Sequence, residues 1–336
     1  MRHGEQSPQT ACAVSADSGL PVLSPQGHKQ GCCSSEDADD ARRTADKLGI
    51  PFYAVDFQEE FSRIMDYFVK EYTRARTPNP CVVCNNWLKF GKLWDYAQGV
   101  GADSIATGHY ARLQETADGS LGMFRGRDAG KDQSYALAGI KRALLPRLRF
   151  PVGDYEKPEI RRIAAEMGMR AADKKDSMEI CFVPDGDYAA FVRRRGGDQD
   201  RSGEIVTTDG EIVGRHEGIE HFTIGQRRGL GIAFGQPRYV VRIEADTRRV
   251  IVGPREDLAR SEWTASEVNW LIVPPEQPIE CEAQVRYLSA SVAATAHPLP
   301  GDRMRVETHE PMHGVAPGQA VVCYREGQVL GGGWID

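Results

Sequence analysis

The feature that most constrains this chain is a change of texture near residue 200. Upstream, short apolar stretches alternate with stretches of helical period. Downstream come short strand-like segments and glycine turns, as in "GEIVTTDGEIVG", "HFTIGQRRGLGI", "RYVVRIEAD" and "RVIVGP". Alternating strand and helix requires a mostly parallel sheet with helices on its faces. Closely spaced short strands require a sandwich or a barrel. The 336 residues therefore divide into an α/β parallel-sheet domain over 1–186, a small β-rich central domain over 187–255 and a C-terminal β-barrel over 257–336.

Residues 1–31 are rich in Ser, Gln, Gly and Pro without a period and read as loop or disordered chain. A first helix opens at Ser34 or Ser35 with acidic residues behind it and closes near Lys47 and Gly49. "IPFYAVDF" (Ile50 to Phe57) reads as a strand. Phe61, Ile64, Met65 and Phe68 share one face of a second helix. Trp87, Phe90, Trp94 and Ala97 mark a third helix, and "ADSIATGHY" a strand that stops at Gly108-His109. "EKPEIRRIAAEMG" is a helix opened by Pro158 and closed by Gly168, with Ile160, Ile163, Ala164 and Met167 inward. "ECEAQVRY" alternates, placing Cys281, Ala283, Val285 and Tyr287 on one side and Glu282, Gln284 and Arg286 on the other. In a parallel sheet, ligands bind beyond the carboxyl ends of the strands, which puts His109 and the Cys81–Cys84 loop on the functional edge.

Composition narrows the class. Charged residues make up 27% and hydrophobic ones 40%, and the net charge is −6. This is an ordinary globular balance, without an overall basic coat for nucleic acid. A local basic face remains, Arg193-Arg194-Arg195 with Arg227-Arg228. No apolar run approaches the roughly 20 residues that span a bilayer, and no signal-peptide core is visible, so the cytosol is the expected compartment and no membrane partner is expected.

There the eight cysteines are expected to be reduced, catalytic or metal-binding rather than a disulfide framework. "TPNPCVVCNNWLKFGKL" (Thr77 to Leu93) places two of them three positions apart, at what reads as a helix start. Unpaired N–H groups there favour a thiolate at Cys84, and Arg74, Arg76 and Lys89 are near in sequence. Cys181 follows the charged run Asp173, Lys174, Lys175, Asp176 and is a second candidate. Cys12, Cys281 and Cys323 read as small apolar packing residues. Zinc on Cys32, Cys33, Cys81 and Cys84 would need an adjacent pair of poor chelate geometry. An iron–sulfur cluster on Cys81, Cys84 and Cys181 stays open as an alternative.

"GCCSSEDADDAR", "TPNPCVVCN", "LKFGKL", "ATGHYAR", "KDQSY", "ADKKDSMEICF", "HFTIGQRRGLGI", "VNWL", "VAPGQAVV" and "LGGGWI" occur in order from Gly31 to the last residues. Together they resemble the tRNA-specific 2-thiouridylase family. That resemblance implies a first domain of the adenine-nucleotide alpha-hydrolase (PP-loop, Rossmann-like) type. It implies that the C2 oxygen of the wobble uridine is adenylated by ATP, with Mg²⁺, and replaced by sulfur from a cysteine persulfide. Cys84 would be the nucleophile and Cys181 the persulfide carrier, supplied by a cysteine desulfurase or a sulfur-relay protein. Asn79, Pro80 and Cys81 would touch the target base; many relatives have Asp where this chain has Cys81. Gly108 would contact ATP. His109, Lys131, Asp132, Gln133, Arg286, Tyr287 and Gln319 would contact tRNA.

The resemblance departs at the start. The family opens with a strand and a Ser-Gly-Gly-Val-Asp-Ser phosphate loop, which nothing here matches. Met1 is similar to a methionine that lies against adenine at the end of the family's second strand. The chain is then expected to begin at an internal Met, without its phosphate loop. It would be a tRNA-binding protein impaired in adenylating uridine and poorly soluble.

Overall fold

The computed structural model describes residues 35–169, 180–197, 199–232 and 235–336. Met1, the expected loop over 1–31, Cys12, Cys32, Cys33 and the charged run before Cys181 lie outside these residues.

Helix α1 (Ser35–Leu48) ends where Gly49 takes a φ of +66°, a left-handed stop that an L side chain rarely adopts. Ile50 to Phe57, expected as a strand, forms none. Pro51 has no N–H to give to a ladder, and among the described residues no strand runs alongside. Helix α2 (Gln58–Thr73) buries Ile64, Phe68, Val69 and Tyr72. The parallel sheet of the first domain consists, among the described residues, of β1 (Ile105–Ala106) beside β4 (Leu148–Arg149). Between them β2 (Ala111–Glu115) and β3 (Leu121–Arg125) form a hairpin.

Helix α5 (Lys157–Glu166) opens with Pro158 in its first turn, as its sequence predicts, and adds a capping box between Glu156 and Glu159. It fully buries none of its residues: Ile160, Ile163 and Ala164 of the expected inward face are half-buried, and Met167 beyond it is 44% exposed. Helix α6 (Tyr188–Gly196) starts at the Asp187 cap. It packs Phe191 and Val192 against Phe68, Val69 and Tyr72 of α2.

The central sheet has the order β6 (Ile212–His216), β5 (Gly203–Thr207), β8 (Arg249–Gly253), β7 (Tyr239–Glu244). Its β5–β8 pairing is parallel. The barrel opens with β9 (Ala259–Trp270). β10 (Ile279–Gln284), β11 (Val292–Leu299), β12 (Arg303–His313), β13 (Ala320–Arg325) and β14 (Gln328–Ile335) complete six strands, and the β13–β14 pairing closes them. Closure removes the unpaired edges an open sheet would expose. Cys281, Ala283 and Val285 face the barrel core as expected. Tyr287 does not, because β10 ends at Gln284 and the alternation ends with it.

The first domain packs directly on the outside of this barrel. Tyr135, Leu137 and Ala138 share one core with Ala320, Val322, Tyr324 and Val329 of β13 and β14. Phe124 pairs with Gln328, which adds the β2–β3 hairpin to the barrel edge. Asn269 donates to the carbonyls of Ala138 and Ile140, both at 2.8 Å. No described helix is long and apolar enough to cross a membrane.

Candidate active site

The helix after Pro78 begins one turn earlier than the residue pattern indicates. Asn79 is its N-cap, and its Oδ1 accepts from Val82 N at 3.3 Å. Pro80 and Cys81 fill the first turn of α3 (Pro80–Val83), where a proline costs no hydrogen bond. The N–H of Cys84 already bonds back to the Pro80 and Cys81 carbonyls. The open helix start therefore belongs to Cys81, and the argument from unpaired N–H groups moves from Cys84 to it. From Cys84 to Lys92 the winding widens to a π-helix, closed by Leu93 N–H on Leu88 O, before α4 (Leu93–Gly99). π winding is rare and concentrates at functional sites. Here it begins at Cys84 itself.

Cys81 is exposed, Cys84 and Cys181 are partly buried, and none of the three is in a disulfide. Cys181 is held by its neighbours, since Ile180, Phe182 and Val183 pack with Phe68 and Val69 of α2. Among the described residues no group of three or more His, Cys, Asp or Glu is placed to hold a metal ion. Cys81, Cys84 and Cys181 are all described and are not among such a group. Arg76, expected to act on the thiols, is turned away. It pairs with Glu71 at 2.7 Å and donates to Ile335 O of the barrel.

The barrel grips the segment before the thiols. Gln319 Nε2 donates to the carbonyls of Thr77 (3.3 Å) and Pro78 (3.1 Å), and its Oε1 accepts from Asn79 Nδ2 at 3.3 Å. Thr77 N donates to Pro317 O at 2.8 Å. Asn79 N donates to the Tyr67 hydroxyl, whose ring lies 6.2 Å from Trp334. Beneath, the buried Tyr135 hydroxyl donates to Ala320 O at 2.8 Å. Burial raises the phenols of Tyr67 and Tyr135 above their ordinary values and keeps both protonated.

Residues expected on the ligand-facing side divide in two. Gly108 is exposed just beyond β1, and a Cβ there would meet open space. Lys131 is partly buried and Tyr287 is 45% exposed. His109 is buried, with Nδ1 2.8 Å from Thr107 Oγ1 and the Phe90 and Phe150 rings packed around it. Burial, and secondarily Lys89, pushes its pKa down to about 3, so it is neutral. Lys131-Asp132-Gln133 is no solvated turn. The Asp132 carboxylate accepts from Gly126 N, Ser134 N, Ser134 Oγ and Arg125 Nη1, all within 3.0 Å. Gln133 Oε1 accepts from Tyr110 N. Arg286 Nη2 donates to Ile224 O at 2.8 Å, tying barrel to central domain. Arg195 is held by Asp66 and Ser62, while Arg227 and Arg228 are exposed.

Residue reasoning missed Tyr67, Tyr135 and Gly318. Two of the three lay inside motifs it had singled out, Tyr135 in "KDQSY" and Gly318 in "VAPGQAVV".

Three family models match the chain in order: a tRNA methyl transferase HUP domain over residues 22–185, a tRNA methyl transferase PRC-barrel domain over 189–254 and an aminomethyltransferase beta-barrel domain over 260–335. A tRNA-specific 2-thiouridylase of Rhodopirellula baltica is 48% identical over 359 residues, spanning 100% of this chain and 88% of that protein. The chain belongs to the tRNA-specific 2-thiouridylase family. A relative of the same name from Geobacter metallireducens is 49% identical, over 93% of this chain and 85% of its own. One from Geotalea uraniireducens is 47% identical over 91% and 82%.

Proposed function

We propose that this protein is a tRNA-uridine 2-sulfurtransferase that replaces the C2 oxygen of the wobble uridine with sulfur, using ATP and a persulfide on Cys181. The observation that carries the reading is the pair of thiol segments, Cys81–Cys84 and Cys181, set against the same helix α2 by separate packing and free of disulfides.

The chemistry follows from the substrate. The uridine C2 carbon is carbonyl-like but bonded to two nitrogens, and its oxygen is a poor leaving group. Attack of O2 on the α-phosphate of ATP releases pyrophosphate and turns that oxygen into part of a good leaving group. The terminal sulfur of the Cys181 persulfide then adds to C2, and AMP departs with the former O2. Sulfur is a strong nucleophile at neutral pH because its thiolate form is accessible. Attack of the Cys84 thiolate on Sγ of Cys181 forms a disulfide between them. The electron pair of the broken S–S bond stays with the transferred sulfur as the C2 thiocarbonyl. An external thiol reductant resets the pair, and a cysteine desulfurase or sulfur-relay protein recharges Cys181. Gly108 offers the close approach a nucleotide needs, and ATP brings its own Mg²⁺. Family membership, with a HUP domain, supports ATP as co-substrate. Asn79, Pro80 and Cys81 would face the flipped-out base, and Lys131, Tyr287, Arg227 and Arg228 supply exposed or half-exposed groups for the tRNA backbone.

The test is a cysteine series. The protein is charged with a desulfurase and cysteine, and extra sulfur is located by peptide mass spectrometry. It is then given ATP and tRNA lacking 2-thiouridine. Extra sulfur on Cys181, and loss of 2-thiouridine in Cys84→Ser and Cys181→Ser alone, are expected. A Cys181→Ser variant that still thiolates tRNA overturns the proposal. Sulfur loading and tRNA binding without any 2-thiouridine would instead favour an impaired tRNA-binding protein.

A further inference from the structure

The side chain of Gln319 has its donors committed inside the protein. Both hydrogens of Nε2 go to carbonyls, those of Thr77 and Pro78, and Oε1 takes a hydrogen from Asn79. A primary amide has two donors, so none is left for an outside ligand. The orientation is fixed by the partners, because the reverse would press the amide oxygen against two carbonyl oxygens. The carbonyls it holds directly precede Asn79, whose other amide atom caps the helix carrying Cys81 and leading to Cys84.

The approach to Gln319 is shaped for this contact. Gly318 has a φ of +86°, and a Cβ there would lie 2.9 Å from Thr77 O and 3.0 Å from Arg76 Cβ. Tyr135 OH fixes Ala320 on the other side of Gln319. The end of the barrel is therefore built against the thiol loop from three consecutive residues.

We infer that Gln319 is a positioning residue for the thiol loop, with Tyr135 as the second anchor, so that the C-terminal barrel sets the orientation in which Cys84 meets the substrate. This rests on the reading of Cys84 as an acting thiol. It assigns Gln319 a role other than touching tRNA. In Gln319→Glu the donor becomes an oxygen facing two carbonyls, and the loop is released. Tyr135→Phe removes the second anchor with a smaller change in shape.

The experiment compares the full-length protein with Gln319→Glu and Tyr135→Phe. Alkylation rates of Cys81, Cys84 and Cys181 by iodoacetamide are followed by peptide mass spectrometry without tRNA, and kcat and KM for tRNA are measured separately. Both variants are expected to change the rates at Cys81 and Cys84 while Cys181 stays as it was. A lower kcat, by about ten- to a hundredfold for Gln319→Glu, is expected with KM within about twofold. General unfolding would raise all three thiol rates together, and that result in both variants overturns the assignment. So does a raised KM with unchanged kcat and unchanged thiol rates, which would make Gln319 a tRNA contact. If the unaltered protein makes no 2-thiouridine, the functional proposal fails, while the thiol rates still decide this one.

Discussion

His109 and Asp132 show how a residue that looks poised for solvent becomes an internal part. His109 gives or takes one hydrogen bond with Thr107 and is otherwise enclosed by aromatic rings. Its folded pKa, about 3, lies below the ordinary 6.5. Between those values the unfolded chain binds a proton that the native protein does not. Stability conferred by neutral His109 is therefore complete above pH 6.5 and declines as pH falls towards 3, by at most about 1.4 kcal/mol per pH unit. Urea denaturation of His109→Gln should show a flatter decline over that window than the unaltered protein. An equal slope would mean His109 does not carry it. Asp132 accepts four hydrogen bonds from three residues. Asp132→Ala leaves those donors buried and is expected to cost about 3 kcal/mol in urea midpoint experiments. Sequence alone singled out both residues as tRNA contacts and could not reveal their burial. A strand-end histidine and a Lys-Asp-Gln run have no periodicity, so nothing in the pattern says that Phe90 and Phe150 enclose the one or that Arg125, Gly126 and Ser134 enclose the other. Cys281 and Cys323 were legible as packing residues. Both are buried, and the hydrogen bond to Cys281, with burial, holds the Cys323 thiol well above its usual range.

At the scale of elements, local chemistry was readable and partnership was not. The α1 stop at Gly49 and the α5 start at Pro158 follow from neighbouring residues, while the α5 capping box and the Asp187 cap, equally local, emerged only in the structure. The α3 start at Asn79 was displaced because Asn79-Pro80 reads as a turn, although proline suits the first helical turn. The expected strand from Ile50 failed for the opposite reason. A strand exists only where another offers hydrogen bonds, and no residue pattern within the segment specifies that neighbour. The join between barrel and thiol loop gives an element-scale prediction. Gly318→Ala puts a Cβ at positive φ against the Thr77 carbonyl and should destabilise the protein by about 1–3 kcal/mol. Thermal unfolding measures this, and an unchanged midpoint would show that the join gives way easily. Asn79→Ala removes the cap at a cost of about 1 kcal/mol.

At the scale of the whole molecule, the order of domains was legible because the period changes from helical to strand-like, while their mutual packing was not. The barrel contributes to the first domain's core through Ala320, Val322, Tyr324 and Val329 and reaches the central domain through Arg286 and Ile224. A protein of net charge −6 that binds tRNA must do so through a local basic surface. Log affinity is expected to fall linearly with log salt concentration, and a salt-independent affinity would contradict that. Arg286→Ala should weaken all substrate tRNAs alike, since its guanidinium braces the central domain.

The central claim is that sulfur reaches tRNA by way of Cys181 and is released with the help of Cys84. The most direct measurement follows that atom. The protein is loaded from ³⁵S-cysteine through a desulfurase, freed of small molecules, and mixed with ATP and tRNA lacking 2-thiouridine. The account predicts that label leaves the Cys181 peptide, appears in tRNA as 2-thiouridine, and leaves a Cys84–Cys181 disulfide behind. Label that enters tRNA equally well from the Cys181→Ser protein would contradict it.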